Sequence, residues 1–568
     1  MSIQLIATPT YEDLFGEKPP RFEDLVAETP LNHALEYGCL VSSVNFWCED
    51  EWGDYRILQR IVGRVDLKKL ILLKNWLESL DSSRQSETGL FAPHYTVHYF
   101  HLCILSCSQA ISICERTPES DLLLFKALIL SAHVWNEQYG TRSDSVNQID
   151  FFRKNTWAID LSQMGSNSRS NEVVAVAKGW YFLNFIREQP ALSMYVDTFL
   201  KAYNEKSEEE YMRSIMRLFT RESNAHAPMG IWDANHTHRT FLNSISLNRS
   251  DYSKEYTSGH RSFSGIKSHP VVKVSDDHFL ILDWSLLIEK LYDGVVRSFY
   301  QSSGISELPK FQTFHDFRRY LALDMIERKI FRIAIDGIFP KNHAVKIFDD
   351  EGKEGFFDAL VIDGKSLFVF EIKDSLFPSN AIDSRNYEAI RKELDKKYNA
   401  DDKGTGQLVR GLRRMRDGEF SSILLPKGVP NCQKLTVYPI LLYTDKNFGT
   451  SGTCLYLQEQ FQAKLSPQLS ASFKHIYPLT FCSLDYFLEN VDLLSKPKGH
   501  LSQVIAYCSN QLKIRRKKFE RTDDLKHMIQ LNESFERISY GFIGRSGKRD
   551  GFVEKVLSLF NLTHKLAR

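Results

Sequence analysis

The spacing of hydrophobic residues divides the chain into a helical first part and a mixed second part. From about Leu31 to Thr220 apolar residues recur at helical spacing, as in residues 66–77. Between Asn224 and Ser268 the chain is rich in His, Asn, Ser and Gly, which predicts a long loop or an irregular junction between domains. Short strands over His269–Asp283 and a helix over Trp284–Tyr300 are predicted to follow.

The second part alternates helices with short apolar strands. Phe311–Ala334 has the pattern of a long amphipathic helix, and Glu327 is an acid on its apolar face. Strands are predicted over Ala344–Phe348, Phe356–Ile362 and Leu367–Lys373. The apolar stripe of the predicted helix contains Phe317, Tyr320, Leu323, Glu327, Ile330, Phe331 and Ala334.

A polar stretch from Asp374 to Gly406 follows these strands and is interpreted as a mobile insertion. After it come a helix that opens with Gln407 and apolar strands over Leu435–Tyr443 and Cys454–Leu457. This order of helix, three strands, helix and strand is typical of a mixed α/β domain.

The predicted fold class is therefore a multidomain α plus α/β protein. We expect a mostly helical N-terminal domain over residues 1–223, acting as a sensor or partner-binding domain of unknown function, and a junction over residues 224–307. The mixed α/β domain covers about residues 308–490, and a basic helical tail covers residues 491–568.

Length, composition and charge fit a soluble multidomain protein. A chain of 568 residues is too long for a single core, and 43% hydrophobic with 25% charged residues argues against extensive disorder. The net charge of +1 hides a basic tail, because residues 491–568 contain sixteen Lys and Arg against eight Asp and Glu. Any attraction to polyanions is therefore local.

Cysteine usage and hydropathy indicate the compartment. The nine cysteines are scattered without paired motifs and no secretory leader is evident, which predicts a reducing cytoplasm. The most apolar stretches, residues 101–114 and 122–135, are interrupted by polar residues before they reach the roughly 20 residues that a membrane span requires. We therefore expect no membrane association.

Two of the predicted strands flank an Asp363-Gly364 pair. An Asp-Gly pair between hydrophobic runs is a strong signal for a tight β-hairpin. If this pair is the loop, Ile362 pairs with Lys365, and the register of the whole hairpin follows.

That register brings three charged residues to one face of the hairpin. Asp358 is predicted to lie opposite Val369, and side chains alternate with period two, so Asp358 shares its face with Glu371 and Lys373. Diagonal neighbours in such a pair are about 7–8 Å apart at the backbone, which lets two carboxylates share one cation.

These residue types in this arrangement suit hydrolysis of a phosphodiester bond. Mg²⁺, with Mn²⁺ as a substitute, neutralises charge on the phosphate and activates water, and it prefers a few carboxylates with several waters. Asp358, Glu371 and a backbone carbonyl such as that of Ile372 would be enough. Lys373 beside the metal would position the attacking water or stabilise the transition state.

At these positions the sequence resembles the PD-(D/E)xK nuclease superfamily, which has the restriction-endonuclease-like fold. The match consists of Asp358, twelve intervening residues and Glu371-Ile372-Lys373, within about residues 311–490. The resemblance implies that Asp358 and Glu371 bind the metal and that Lys373 is the catalytic base or orients the attacking water. In the ordinary alternative, Glu371 and Lys373 form an ion pair on a half-exposed strand.

The resemblance extends to the helices on either side. It implies that Glu327, on the preceding helix, completes the metal site, and that Gln407, at the start of the following helix, is an active-site residue. In the ordinary alternatives Glu327 pairs with a neighbouring arginine and Gln407 is solvated. The proline that names the family is absent, because Phe357 stands before the aspartate, and this puts only the subfamily in doubt.

Arginines follow Gln407 on the same predicted helix. Arg410, Arg413 and Arg414, with Arg416 just beyond them, would face a phosphate backbone if the helix lies beside the catalytic strands. A solvated helix face is the alternative. The run from Lys513 to Lys518 in the tail forms a second basic patch without specificity of its own.

The histidines of the N-terminal part fit a packed helix better than a zinc site. His94, His98 and His101 share a helical face near Cys103, but no second pair of ligands is spaced nearby. We interpret them as residues of a packed helix, and His236 and His238 as structural in the same way.

The sequence thus predicts a Mg²⁺-dependent endonuclease that cuts DNA, whose N-terminal helical domain senses a protein partner or the substrate. By analogy with large stand-alone members of the superfamily, its setting is prokaryotic defence against invading DNA. Two alternatives stay open: a nucleic-acid-binding subunit of a larger complex whose nuclease fold is inactive or partner-activated, and a nuclease that cuts RNA. A homodimer would supply the two active sites that a double-strand cut usually needs.

Overall fold

The structure is a computed structural model of the chain. It describes residues 10–47, 93–108, 116–139, 153–154, 156–157, 161, 171–220, 230–231, 234–257, 263–340, 344–349, 356–384, 386–429, 431–497, 499–522, 525–544 and 552–562. The helix predicted over residues 66–77 lies outside this set. None of the helices in these ranges is both long enough and apolar enough to cross a bilayer.

The chain divides into two compact units. The N-terminal unit comprises Ile3–Arg142 and Lys178–Ile305, and the C-terminal unit comprises Met1–Ser2, Ser143–Ala177 and Ser306–Arg568. Mixed helix and sheet, in more than one unit, agrees with the coarse fold class expected from the sequence.

Helices dominate the described residues up to Ser302, and between Leu31 and Thr220 this agrees with the prediction from apolar spacing. Three short strands in this part of the chain form a small antiparallel sheet in the order β1-β3-β2. They are β1 (Gly230–Ile231), β2 (Val271–Lys273) and β3 (Phe279–Ile281). The helices are α1 (Tyr11–Phe15), α2 (Phe22–Val26), α3 (Leu31–Trp47), α4 (Pro93–Ser106), α5 (Pro118–Tyr139), α6 (Glu172–Arg187), α7 (Ser193–Ala202), α8 (Glu208–Thr220), α9 (His236–Ser244), α10 (Arg249–Thr257), α11 (Ser264–Ser268), α12 (Trp284–Glu289) and, after a π-helical turn over Lys290–Gly294, α13 (Val295–Ser302).

The long loop predicted over residues 224–268 is wrong where the structure describes it, because α9, α10 and α11 occupy most of that stretch. The polar composition misleads because part of it caps helices. Asn235 is the N-cap of α9, and its side chain accepts a hydrogen bond from the His238 backbone. Phe241 and Leu242 on the same helix are fully buried.

A long helical segment opens the C-terminal unit and carries Glu327. It consists of α14 (Phe314–Leu321), a π-helical stretch over Ala322–Ile330 and α15 (Phe331–Ile338). The predicted stripe is wrong at Leu323, which is 47% exposed. A π-helix has more residues per turn than an α-helix, so the buried face moves to Met325 and Ile326.

A six-stranded mixed sheet forms the centre of this unit. Its strands are β4 (Val345–Phe348), β5 (Ala359–Asp363), β6 (Ser366–Lys373), β7 (Thr436–Tyr443), β8 (His475–Ile476) and β9 (Thr480–Ser483). The order is β4-β5-β6-β7-β8, with β9 also beside β7. β4 pairs with β5, and β5 with β6, in antiparallel orientation, whereas β7 runs parallel to β6, β8 and β9.

Helices cover both faces of the sheet. Phe370 of β6 contacts the rings of Phe331, Phe339 and Phe487 on one face. On the other face, Phe481 of β9 contacts the buried ring of Tyr398. The central strands are therefore buried on both sides, which agrees with their unbroken apolar sequences.

The hairpin joins β5 and β6 at a loop one residue later than predicted. Asp363 pairs with Ser366, so the loop is Gly364-Lys365 and not Asp363-Gly364. Gly364 has a φ of +59°, and a glycine with positive φ suits the first position of a type II′ turn. An Asp-Gly loop would instead need positive φ at both positions, and Asp363 takes part in the ladder.

The predicted pairing is therefore wrong by two residues, but the predicted face is right. Ile362 pairs with Leu367 rather than with Lys365. Continuing this register places Asp358 opposite Glu371 instead of Val369. An even shift leaves every side chain on its original face of the sheet.

The polar stretch after β6 is helical and packed, so its interpretation as a mobile insertion is wrong. It contains α16 (Ser379–Ser384), α17 (Tyr387–Leu394) and a π-helical turn over Asp395–Asn399. Ile390, Leu394 and Tyr398 are buried among otherwise polar neighbours. Three apolar anchors at helical spacing were enough to dock the segment.

The remaining elements are helices. They are α18 (Thr405–Arg416), α19 (Ser421–Leu424), α20 (Thr453–Lys464), α21 (Pro467–Ala471), α22 (Leu484–Leu494), α23 (Leu501–Thr522), α24 (Leu525–Leu531), α25 (Phe535–Ile543) and α26 (Phe552–Leu559). The strand predicted over Cys454–Leu457 is wrong, because this run is the buried start of α20. A short apolar run does not distinguish a buried strand from a buried helix. The helical tail is confirmed.

Candidate functional site

Asp358 is held at the end of the hairpin by the backbone of the facing strand. The Ile372 N–H donates a hydrogen bond to Asp358 Oδ2 at 2.7 Å. The N–H and C=O of one strand residue point toward the same neighbouring strand. The Ile372 carbonyl therefore faces the same side as Asp358, where the sequence expected it as a ligand.

Lys373 lies between the two carboxylates predicted to act with it. Its Nζ is 3.3 Å from Glu371 Oε2 and 3.9 Å from Asp358 Oδ2. Glu371 is fully buried, whereas the side chains of Asp358 and Lys373 keep 23% and 21% of their exposure. The cluster is therefore buried at Glu371 and open to solvent at its rim.

The environment of Glu371 opposes its negative charge. Burial, and then the charge of Asp358, hold its pKa well above the ordinary range, although Lys373 acts in the opposite sense. Its Oε1 is buried and has no hydrogen-bond partner among the described residues. A buried carboxylate oxygen without a partner is costly in a folded protein, so this atom stands out as an unused acceptor.

Glu327 reaches the same cluster from the long helix. Burial and the charge of Asp358 raise its pKa to about 7, while Lys373 and a hydrogen bond from the Asp374 backbone lower it. The carboxyl group is only half-buried. Glu327 therefore interacts with the cluster electrostatically and titrates near neutral pH.

Lys373 stays charged in this setting. Burial lowers its pKa, but the charges of Glu371, Asp358 and Glu327 outweigh burial and raise the pKa above its ordinary value. A permanently protonated lysine orients water or stabilises negative charge, whereas it does not accept a proton.

The donor set suits a hard divalent cation with a small number of protein ligands. Within the described residues no group of three or more His, Cys, Asp or Glu side chains is arranged to hold a metal ion. Asp358 and Glu371 thus offer two carboxylate ligands, and Glu327 does not form a three-ligand group with them. Two carboxylates are enough for Mg²⁺, because it binds through one or two carboxylates and keeps several waters.

Gln407 lies on the helix that packs beside Asp358. One turn after Gln407, the backbone of Gly411 approaches the ring of Phe357 so closely that an added Cβ would lie 2.4 Å from it. Phe357 immediately precedes Asp358. Gln407 is half-buried and makes no hydrogen bond to the three charged residues within the described structure.

The three arginines predicted to contact nucleic acid differ in their surroundings. Arg410 and Arg413 are exposed, and within the described residues Arg410 makes a single long contact of 3.4 Å, to the Asp402 carbonyl. Arg414 donates to Glu419 at 2.7 Å and lies 5.1 Å from the Phe420 ring centroid. Arg410 and Arg413 are therefore available to a ligand, whereas Arg414 serves the fold.

Two further residues contact the site, and their sequence neighbourhood carries weak or no signals for such a role. Asp374 follows Lys373 directly, and it accepts a hydrogen bond from the Thr444 hydroxyl. Tyr398 donates to the Lys373 carbonyl at 3.4 Å. The position of Asp374 beside the motif could have identified it, but a lone tyrosine in a polar stretch carries no such signal.

The histidines of α4 are packed, as interpreted from the sequence. The imidazole Nδ1 of His98 lies 2.9 Å from the Ser131 carbonyl, and that of His101 lies 2.6 Å from the Tyr252 hydroxyl. Burial lowers the pKa of His94 to about 3. His238 likewise contacts the Ser214 carbonyl at 2.7 Å.

Comparisons with known proteins add no family to this description. The chain matches no protein-family model, and no curated protein or solved structure is significantly similar to it. The geometry and chemistry of the cluster are therefore the basis for a function.

The metal-free protein should lose stability as pH rises through neutrality. The folded pKa of Glu327 is about 7, above its value in the unfolded chain, so the folded state binds more protons in this range. Its stabilising contribution is full below the unfolded pKa and is lost as pH rises through the folded pKa. Glu371 acts in the same direction.

Thermal unfolding in EDTA measures this dependence. We expect the melting temperature to fall as pH rises from roughly 5 to 8, and Glu327→Gln to flatten the fall. Glu388→Gln, at an exposed position of α17, is the control and should leave the profile unchanged. A Glu327→Gln profile as steep as that of the wild type would contradict the assignment.

Proposed function

We propose that this protein is a Mg²⁺-dependent nuclease that hydrolyses phosphodiester bonds of DNA at Asp358, Glu371 and Lys373. The observation that carries the proposal is the Glu371 carboxylate, fully buried beside Asp358 and Lys373, with one oxygen that has no hydrogen-bond partner in the part of the chain that the structure describes. Its buried negative charge and free acceptor are what a divalent cation would stabilise.

A purely structural ion pair explains this arrangement less well. An ion pair kept for stability is expected to satisfy its buried acceptors, because an unpaired one costs free energy. Here one lysine is shared by two carboxylates, and none of the described residues donates to Glu371 Oε1. Functional sites commonly keep such unfavourable arrangements.

Each residue of the cluster has a separate role in the proposed hydrolysis. Asp358 and Glu371, with the Ile372 carbonyl and water, would hold Mg²⁺, which supplies charge neutralisation at the phosphate and an acidified water. Lys373, protonated and at the open rim, orients the attacking water and stabilises charge on the phosphate oxygens. Glu327, titrating near neutral pH, accepts or returns a proton at the edge of the cluster.

Surrounding features support a nucleic acid as substrate. Exposed Arg410 and Arg413 lie on α18, the helix whose Gly411 abuts the segment before Asp358. Arginine is well suited to bind phosphate oxygens. The resemblance to the PD-(D/E)xK superfamily, carried by Asp358 and Glu371-Ile372-Lys373 in this order, supports the same reaction. A cytoplasmic role in defence against invading DNA is part of the proposal.

Incubation of the purified protein with supercoiled plasmid, in Mg²⁺ or in EDTA, tests the proposal. We expect Mg²⁺-dependent nicking or linearisation that Asp358→Asn abolishes. Asp402→Asn, at an exposed acid, is the control and should cut like the wild type. Labelled single-stranded DNA, duplex DNA and RNA in parallel identify the substrate. Cleavage that persists in Asp358→Asn, or no cleavage of any of these substrates, would refute it.

A further inference from the structure

The C-terminal half of α23 carries exposed cations that make no ion pair within the described residues. Between Lys513 and Arg521 the helix contains six Lys and Arg residues and one acid, Glu520. Arg515 contacts Glu533 at 2.7 Å, and Arg516 contacts Glu459 at 3.2 Å. The other four cations are exposed and have no ion pair within the described residues: Lys513, Lys517, Lys518 and Arg521.

The four unused cations share one side of the helix. At about 100° per residue, Lys513, Lys517 and Arg521 follow one another at steps of about 40°, and all four fall within an arc of about 140°. Arg515 lies outside this arc, on the side that packs against the fold. The row from the first to the last cation is about 12 Å long, at 1.5 Å per residue.

We propose that this side of α23, the α23 cationic face formed by Lys513, Lys517, Lys518 and Arg521, binds the phosphate backbone of a nucleic acid. DNA presents one phosphate about every 3.4 Å along each strand, so a row of about 12 Å meets several phosphates. The contact is electrostatic and independent of sequence. It needs none of the residues of the cleavage site, so it stands separately from the proposed hydrolysis.

The composition of the face favours a nucleic acid over an anionic membrane. A helix that lies in a membrane interface presents a broad apolar surface beside its cations. The exposed side of α23 offers Ile514, which is 41% exposed, while the apolar residues Leu501, Val504 and Ile505 are buried in the fold. The face therefore has charge to meet phosphates but too little apolar surface to anchor in lipid.

Salt dependence of DNA binding tests the proposal. The full-length protein is titrated into fluorescently labelled duplex DNA in EDTA, and affinity is measured by anisotropy over a range of salt concentrations. Each phosphate contact contributes about 0.9 to the slope of log K against log salt. The triple variant Lys513→Gln, Lys517→Gln, Arg521→Gln should lower that slope by about 2.7.

A matched control removes the same charge elsewhere. Lys18→Gln, Lys201→Gln and Lys392→Gln replace three exposed lysines that make no ion pair within the described structure, and this variant should keep the wild-type slope. All six positions are exposed, so melting temperatures should stay close to that of the wild type. Equal slopes for the two triple variants would overturn the proposal, as would binding to phosphatidylserine vesicles without binding to DNA.

EDTA keeps this test separate from the test of hydrolysis. If the chain cuts no substrate but the slope falls as expected, the α23 cationic face stands and the proposed hydrolysis fails. If the chain cuts DNA but the slope does not change, the reverse holds.

Discussion

Lys373→Met is expected to abolish most Mg²⁺-dependent cleavage while the protein stays folded and keeps its affinity for DNA. Removal of a preorganised charge that stabilises a transition state typically lowers the rate by about 10²–10³-fold. Lys373 is the only cation within 4 Å of both Asp358 and Glu371 among the described residues. No other side chain there is placed to replace it.

The measurement is the single-turnover rate on labelled DNA at saturating protein, with DNA affinity measured separately in Ca²⁺. Lys365→Met makes the same substitution in the exposed loop of the same hairpin and should cut at the wild-type rate. If Lys373→Met cuts within a few-fold of the wild type, Lys373 belongs to a structural ion pair. A loss of DNA binding equal to the loss of rate would point to a substrate-binding role instead.

Glu371→Gln is expected to remove the stabilisation that Mg²⁺ gives the protein. A ligand that binds only the folded state at about a hundred times its dissociation constant stabilises that state by about 2.7 kcal/mol. The amide keeps the shape of the side chain but cannot supply the buried negative charge that attracts the cation. The wild-type protein should therefore melt at a higher temperature in Mg²⁺ than in EDTA, and the variant should melt equally in both.

Without Mg²⁺, Glu371→Gln should not destabilise the protein. Burial and Asp358 oppose the Glu371 charge, so its removal should leave the melting temperature in EDTA at alkaline pH no lower than that of the wild type. Glu536→Gln is a matched control, since Glu536 also has an unpaired buried oxygen but accepts hydrogen bonds from Tyr443 and Ser483. That variant should keep the Mg²⁺ response. Equal Mg²⁺ responses in all three proteins would contradict metal binding at Glu371.

The sequence was informative about this site because its main determinants are local. Alternation along β6 puts Glu371 and Lys373 on one face whatever the surroundings, and the short hairpin fixes Asp358 to that face. The error of two residues in the strand pairing left the predicted face unchanged, since only an odd shift would have moved Asp358 to the other side.

Structural features that depend on irregular geometry or on distant residues were harder to predict from the local sequence. The π-helical stretch before α15 displaced the buried face from Leu323, because local spacing assumes a regular helix. Trp157, far away in sequence, is buried in the C-terminal unit, where its indole donates to the Ser451 carbonyl at 2.9 Å and contacts the ring of Tyr456. Nothing in the neighbourhood of Trp157 along the chain indicates those partners, which only the folded chain brings together.

Anomalous diffraction from crystals soaked in Mn²⁺ is the most direct test of metal binding by Asp358 and Glu371, since it locates the cation without assuming a substrate. We expect an anomalous peak at about 2.1 Å from carboxylate oxygens of both Asp358 and Glu371, lost in crystals of Glu371→Gln. Mn²⁺ bound only at other carboxylates, with none between Asp358 and Glu371, would contradict it.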